Sequence, residues 1–327
     1  IPGTLLAATA NVLEFNGRDV GHQLIVPYFT TQNGQATLIS LVNHDQNNGK
    51  AVKVRFRGAA NSDDIFDFTL FLSKGDHWSA AVSQGADGRS VLKTSDKSCT
   101  LPKSVATNAD GTAFVTDRLP ASASAADKAK GTREGYIEIF NMADIPTGGN
   151  IAAMPDLSKA ITHVSGVAPC TDSTFAPLAD YNLIDTSVEL ENRGFRVPST
   201  GLSGSWTIID VPNSTTFSGN ATALEARVGA GGPAGLARMV VFSQTATQVS
   251  QALAESTTAD PLLRGAVAVN PAAPAAGERK INTQQFDLPD LSTPYVRTAP
   301  NENAAFAPAA GDTLPLFNAS RLSQALM

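Results

Sequence analysis

Short runs of alternating apolar and polar residues dominate the first half of the chain. In residues 51–57, apolar side chains alternate with Lys53, Arg55 and Arg57. This period of two predicts a half-buried strand with a basic solvent face. Residues 66–72 and 136–140 show the same alternation. Asn-Gly and Asp-Gly dipeptides favour tight turns because both residues accept positive φ, and they begin at Asn16, Asn33, Asn48, Asp87 and Asp110.

The apolar run 37–42 is followed by a polar stretch and then by the strand at 51–57. This order predicts one long hairpin from Thr37 to Phe56, closed near Asn47-Asn48-Gly49. Further short strands are predicted at residues 24–26, 113–115, 187–191, 206–211, 215–218 and 239–242. The pattern indicates an all-β protein with an antiparallel β-sandwich or jelly-roll-like body.

Few segments have helical periodicity. Residues 157–164 and 246–254 predict short helices, and residues 121–130 predict either a short helix or a loop. We therefore expect a few short helices beside the sheets.

The organisation of the chain follows from these patterns. Residues 1–17 form an N-terminal strand or arm. Residues 18–265 form the β-rich body, as one large sandwich or as two packed units with a boundary near 120–150. Residues 266–327 are rich in Ala and Pro, which predicts an extended C-terminal arm and tail.

Composition narrows the class of protein. Of 327 residues, 42% are hydrophobic and 17% are charged, against a usual charged share of about 25%. This balance argues against a disordered chain. The net charge of −6 argues against a nucleic-acid partner, since such proteins need a basic face. No apolar run reaches the roughly 18 residues that a transmembrane helix requires.

The two cysteines, Cys99 and Cys170, both stand in turn-like contexts. We favour a disulfide between them because both flanks predict exposed loops, where a free thiol is reactive. Two unrelated free thiols are the alternative. A bridge indicates an oxidising compartment, and we expect that a signal peptide has been removed or that the sequence starts late.

Motifs that carry chemistry are weak. The stretch 201–205 misses the pattern of a nucleophilic serine and precedes a strand, where it should follow one. The four histidines lack metal-ligand spacing, and the Gly-rich stretch 229–233 lacks a phosphate-binding pattern. Turn chemistry explains the polar stretches 44–49 and 61–64 without calcium. We predict no catalytic residue, no cofactor and no metal site.

Several stretches together resemble a family of exported proteobacterial cell-surface proteins of unknown activity. The resemblance covers roughly residues 20–225 and implies secretion and a location at the cell surface. It carries over no catalytic residue. The matching stretches are 21–30 (GHQLIVPYFT), 37–43 (TLISLVN), 50–57 (KAVKVRFR), 67–73 (DFTLFLS), 76–80 (DHWSA), 98–100 (SCT), 132–138 (TREGYIE) and 204–209 (GSWTII).

The leading hypothesis is a secreted structural protein that assembles with copies of itself into a layer, filament or matrix. Its apolar ends would pair with a neighbouring subunit, although packing within the same subunit is an equal alternative. A monomeric adhesin or glycan-binding module is the second hypothesis, and a secreted hydrolase is the third. The candidate assembly residues are Leu5, Leu6, Val12, Leu13 and Phe15 at one end, and Leu316, Phe317, Leu322 and Leu326 at the other.

Overall fold

Two antiparallel sheets packed face to face make up the protein, which confirms the predicted all-β sandwich. The computed structural model describes residues 10–60, 62–116, 119, 123–148, 157–171, 191 and 194–237. The predicted elements at 187–191, 239–242 and 246–254 fall wholly or mainly outside these residues, and so does the arm at 266–327.

The strands of the described residues are numbered β1 to β13 in chain order. They are Val12–Phe15, Gln23–Thr30, Gln35–Asn43, Asn48–Gly58, Asp64–Leu72, His77–Gln84, Ser90–Lys93, Cys99–Leu101, Thr112–Ala113, Glu134–Pro146, Leu202–Asp210, Thr215–Asn220 and Thr222–Arg227. The helices α1 to α3 are Ser104–Thr107, Ala125–Gly131 and Leu157–Ile161, and a 3₁₀ turn covers Gln32–Gly34.

The larger sheet has the order β1-β13-β2-β10-β4-β5-β8, and the smaller has the order β12-β11-β3-β6-β7-β9. Strand β10, which lies inside the predicted boundary region at 120–150, is placed between β2 and β4. Strands from both sides of that region therefore belong to the same sheets.

The main core fills the space between the sheets. Apolar side chains of both sheets, including Val54 of β4 and Trp78 of β6, are fully buried in it. Aromatic rings fill one part of this core, where Phe114 stacks on Phe66 with ring centroids 4.7 Å apart and contacts Phe56 edge-on at 4.8 Å. Burial of this apolar surface is the main term that holds the two sheets together.

The predicted hairpin from Thr37 to Phe56 is wrong. Strand β3 pairs with β6 and β11, whereas β4 pairs with β5 and β10 in the other sheet. Residues 44–47 therefore cross from one sheet to the other. Asn48 and Gly49 are not the turn but the start of β4, where a Cβ on Gly49 would lie 2.6 Å from Cδ1 of Ile161. The glycine is needed for close packing rather than for a tight turn.

The predicted basic solvent face of residues 51–57 is also wrong. Lys53, Arg55 and Arg57 alternate with apolar residues as expected, but each is at most 2% exposed. The outer face of β4 is therefore covered rather than open to solvent. Each cation has a carboxylate partner there, since Lys53 pairs with Asp67, Arg55 with Asp64 at 3.5 Å and Arg57 with Glu138 at 3.0 Å.

A second apolar cluster covers part of that outer face. It joins Phe71 of β5 and Met142 of β10 to Leu157 and Ile161 of α3. Helix α3 confirms the helix that the sequence predicts at 157–164, and α2 is the helical alternative for 121–130. Because the outer face is buried too, alternation along strands of the larger sheet does not distinguish buried side chains from exposed ones.

Candidate functional site

The outer strands of the two sheets differ in how they are protected. Strands β8 and β9 are only three and two residues long, and β1 carries Glu14. Short length and charge are common ways of blocking edge-to-edge association. Among the described residues, β12 is the longest edge strand and has neither protection.

Strand β12 is open to solvent on both faces. Its sequence, Thr-Thr-Phe-Ser-Gly-Asn, contains no charge and no proline, and Phe217 at its centre is 57% exposed. Within the described residues, its one partner strand is β11. The backbone N–H of Ala221 donates to the carbonyl oxygen of Gly204 in β11. In an antiparallel ladder, every second N–H points towards the partner strand. The N–H of Ser218, three residues before Ala221, therefore points away from β11. The outward edge is therefore a template for another strand.

Three of the N-terminal candidate residues lie at one edge of the larger sheet. Val12, Leu13 and Phe15 belong to β1, which pairs with β13 of the same chain. Val12 and Leu13 are half-buried, and Phe15 is 64% exposed. The remaining candidates, Leu5, Leu6, Leu316, Phe317, Leu322 and Leu326, lie outside the described residues.

The predicted disulfide between Cys99 and Cys170 is confirmed. Its premise is only half right, because Cys99 is not in an exposed loop but in the buried strand β8. The bridge connects this edge strand to the segment that follows α3. It closes a loop of 71 residues.

A polar cluster lies at one end of the core, between the two sheets. Lys50 of β4 is completely buried, and its Nζ donates to Oδ1 of Asp144 at 2.8 Å and lies 3.5 Å from Oδ2 of Asp45. Ser199 donates from its backbone N–H to Oδ2 of Asp144 at 3.0 Å, and its hydroxyl contacts the same oxygen. Asn141 donates to Oδ1 of Asp144 at 3.0 Å. These residues come from three separate parts of the chain.

His22 is a buried histidine close to this cluster. Burial lowers the pKa of its imidazole to about 3, and the positive charge of Lys50 adds to the effect. Its Nδ1 accepts a hydrogen bond from the backbone N–H of Ala226 at 3.1 Å. The ring is therefore neutral, with its proton on Nε2.

A polar cleft of about 420 Å³ opens on the surface near the start of β6. His163 lies on one side of it, with Nδ1 3.5 Å from Oδ2 of Asp76. His77, Asp96 and Lys97 also line the cleft. Such mixed hydrogen-bonding groups suit a hydroxylated ligand better than an apolar one.

The strand predicted at 215–218 is confirmed as β12, but its position at an open sheet edge was not predicted. The available signal was the absence of charge between Asp210 and Glu225. The signal for the buried cluster was the position of Lys50, which lies two residues before Val52 and four before Val54. Because side chains of a strand alternate between its two faces, Lys50 faces the core together with these valines. Neither Asp45 nor Asp144 has a local signature that joins it to Lys50.

Within the described ranges, no group of three or more His, Cys, Asp or Glu side chains is placed to hold a metal ion. No helix in those ranges is long and apolar enough to cross a membrane. No protein-family model, curated protein or solved structure matches the chain.

Proposed function

We propose that this protein is a secreted structural protein of the cell surface that assembles with copies of itself into a layer, filament or matrix. The observation that carries the proposal is the unprotected edge of β12, which is uncharged and exposed on both faces. Natural edge strands are normally blocked because an open edge pairs with other chains. An open edge of this length is best explained by a partner strand.

The partner we propose is an extended segment of a second copy. A contact between two different surfaces of the same protein propagates into an open polymer when its rotation does not close a ring. Main-chain hydrogen bonds to β12 would supply affinity, and apolar side chains such as Leu5 and Leu6 would supply register. Residues 1–9 are the segment to test first, since they contain Leu5 and Leu6 and precede β1, which begins at Val12.

The disulfide supports export. Disulfides persist in oxidising environments and are rare in the reducing cytosol. The resemblance to exported surface proteins implies the same location. Export and surface location are therefore part of the proposal.

Electron microscopy and sedimentation velocity of the purified chain test the assembly. We expect the wild type to form polymers and Phe217→Lys to remain monomeric, because a charge on β12 blocks edge pairing. Val211→Lys is the matched control, since Val211 is 67% exposed but lies outside β12. Ser218→Pro tests the same edge by removing an outward N–H.

Two outcomes would contradict the proposal, and a third would exclude only the N-terminal donor segment. A wild-type chain that stays monomeric at all concentrations excludes self-assembly. Equal loss of polymers in Phe217→Lys and Val211→Lys excludes β12 as the contact. Normal polymers after deletion of residues 1–9 exclude that segment as the donor, while leaving β12 to be tested against the C-terminal arm.

A glycan-binding adhesin is the second candidate function, and the polar cleft at Asp76 and His163 favours it. Screening of the purified protein on a glycan array tests this hypothesis. Binding by the wild type that is lost in His163→Ala, together with monomeric particles, would favour the adhesin over the structural protein.

A further inference from the structure

Lys50 and Asp144 stand directly opposite each other on the central strands β4 and β10. Their side chains face the end of the core, where Lys50 is 0% and Asp144 is 4% exposed. The Lys50 Nζ lies 2.8 Å from Oδ1 of Asp144. The hydrogen bond therefore holds the amine beside the carboxyl group of Asp144, in an enclosed site.

The Asp144 carboxyl group is held by fixed donors. Asn141 donates to Oδ1, and the backbone N–H of Ser199 donates to Oδ2. The Ser199 hydroxyl also contacts Oδ2. Donors fixed in this way stabilise the negative oxygen of a tetrahedral intermediate, because no reorganisation is needed when the charge develops.

A second carboxylate is available to carry a proton. Oδ2 of Asp45 lies 3.5 Å from Nζ of Lys50 and 3.2 Å from the hydroxyl of Ser199. Asp45 is fixed by hydrogen bonds from the backbone N–H groups of Asn47 and Asn48. The site thus contains an amine, a carboxyl carbon with fixed donors, and a separate acid–base group.

We propose that Lys50 and Asp144 condense into an intramolecular isopeptide bond, with Asp45 as the proton carrier. The ammonium first gives one proton to Oδ1 of Asp144, which leaves a neutral amine and a neutral acid. The amine then attacks Cγ, and the charge of the intermediate rests on Oδ2. Asp45 takes a second proton from the nitrogen and returns it to Oδ1. Oδ1 leaves as water, and one proton remains on the amide nitrogen.

Burial favours the product. A buried ion pair bears the desolvation of two charges, which its own attraction offsets only in part. The amide carries no charge, and the water that forms leaves the enclosed site. Fixed geometry raises the effective concentration of the amine at the carbon, so no external reactant is required. The bond would lock β4 to β10 in the middle of the larger sheet.

Peptide mapping of the full wild-type chain tests the proposal directly. After denaturation and reduction, trypsin releases residues 19–50 and 134–159 as separate peptides if the side chains are free. If the bond has formed, Lys50 resists cleavage, and residues 19–53 appear joined to 134–159. The joined product has the summed mass less one water. Recovery of free 19–50 and 134–159 as the main products overturns the proposal.

Two variants separate this bond from a simple ion pair. Lys50→Arg keeps the positive charge but has no amine of comparable nucleophilicity, so we expect complete loss of the joined peptide. Asp45→Asn keeps Lys50 and Asp144 but removes the proton carrier, so we expect at least a tenfold slower appearance of the joined peptide after refolding. An unchanged rate would exclude Asp45 from the role. A joined peptide in Lys50→Arg would place the bond elsewhere.

Discussion

His22 and Ala226 are joined by a hydrogen bond of 3.1 Å, from the backbone N–H of Ala226 to Nδ1 of the fully buried imidazole. The bond requires an unprotonated Nδ1, so the fold holds His22 neutral. Burial, reinforced by Lys50, lowers its pKa from 6.5 to about 3. Protonation of the ring therefore opposes the folded state.

We expect stability to fall as the pH drops below 6.5. The unfolded chain gains a proton on His22 near pH 6.5, whereas the folded chain gains it only near pH 3. Between these values the free energy of unfolding falls by about 1.4 kcal/mol per pH unit on account of this one group. Above pH 6.5 the contribution is constant.

Urea unfolding at pH 7.0 and pH 5.5 measures this effect, in a range where most carboxylates remain ionised. His22→Gln is the control, because glutamine does not titrate. The assignment fails if the variant shows the same loss of stability between the two pH values as the wild type.

The disulfide should make a large contribution to stability. In the chain-entropy model, closing a loop of 71 residues stabilises the fold by about 4 kcal/mol. We expect the double variant Cys99→Ser/Cys170→Ser to lose about that amount in chemical denaturation. Because Cys99 is buried, the serine hydroxyl adds a further desolvation cost. Cys99→Ala/Cys170→Ser is the control that removes this cost, and a loss below about 1 kcal/mol in it would contradict the loop-closure argument.

Gly135 is expected to tolerate no side chain. A Cβ at this position of β10 would lie 1.7 Å from the carbonyl oxygen of Arg57 in β4. Gly135→Ala must therefore separate two central strands, and we expect a loss of about 3 kcal/mol or more, the upper end for overpacked sites. Gly17→Ala is the matched control, since its nearest contact is 3.9 Å away. Thermal unfolding of both variants checks the prediction, which equal melting temperatures would contradict.

Phe114 should be a main determinant of core stability. It is fully buried against Phe29, Phe56 and Phe66, although it lies just beyond the short edge strand β9. We expect Phe114→Ala to cost about 3–5 kcal/mol, as for other buried aromatic residues. Phe217→Ala is the control, because it removes a phenyl ring from an exposed site. We expect it to change the free energy of unfolding by about 0.5 kcal/mol or less. Similar losses in the two variants would show that Phe114 is not a core residue.

The sequence by itself determined the fold class and most of the strands. Alternation at 51–57, 66–72 and 136–140 identified strands β4, β5 and β10, because side chains of a strand point to opposite faces with a period of two. The same parity puts Lys50 on the side of Val52, although no prediction was made for Lys50. The bridge between Cys99 and Cys170 was also predicted from the local sequence, with two free thiols as the alternative, and it is confirmed.

Only the tertiary structure decided which sheet each strand joins and what covers its second face. Residues 44–49 have the composition of a turn, yet β3 and β4 belong to opposite sheets, because both edges of β4 pair with β10 and β5 in the larger sheet. That position turns Lys53, Arg55 and Arg57 from an expected solvent face into buried ion pairs. The open edge of β12 and the meeting of Lys50 with Asp144 depend likewise on strand order, which no local pattern encodes.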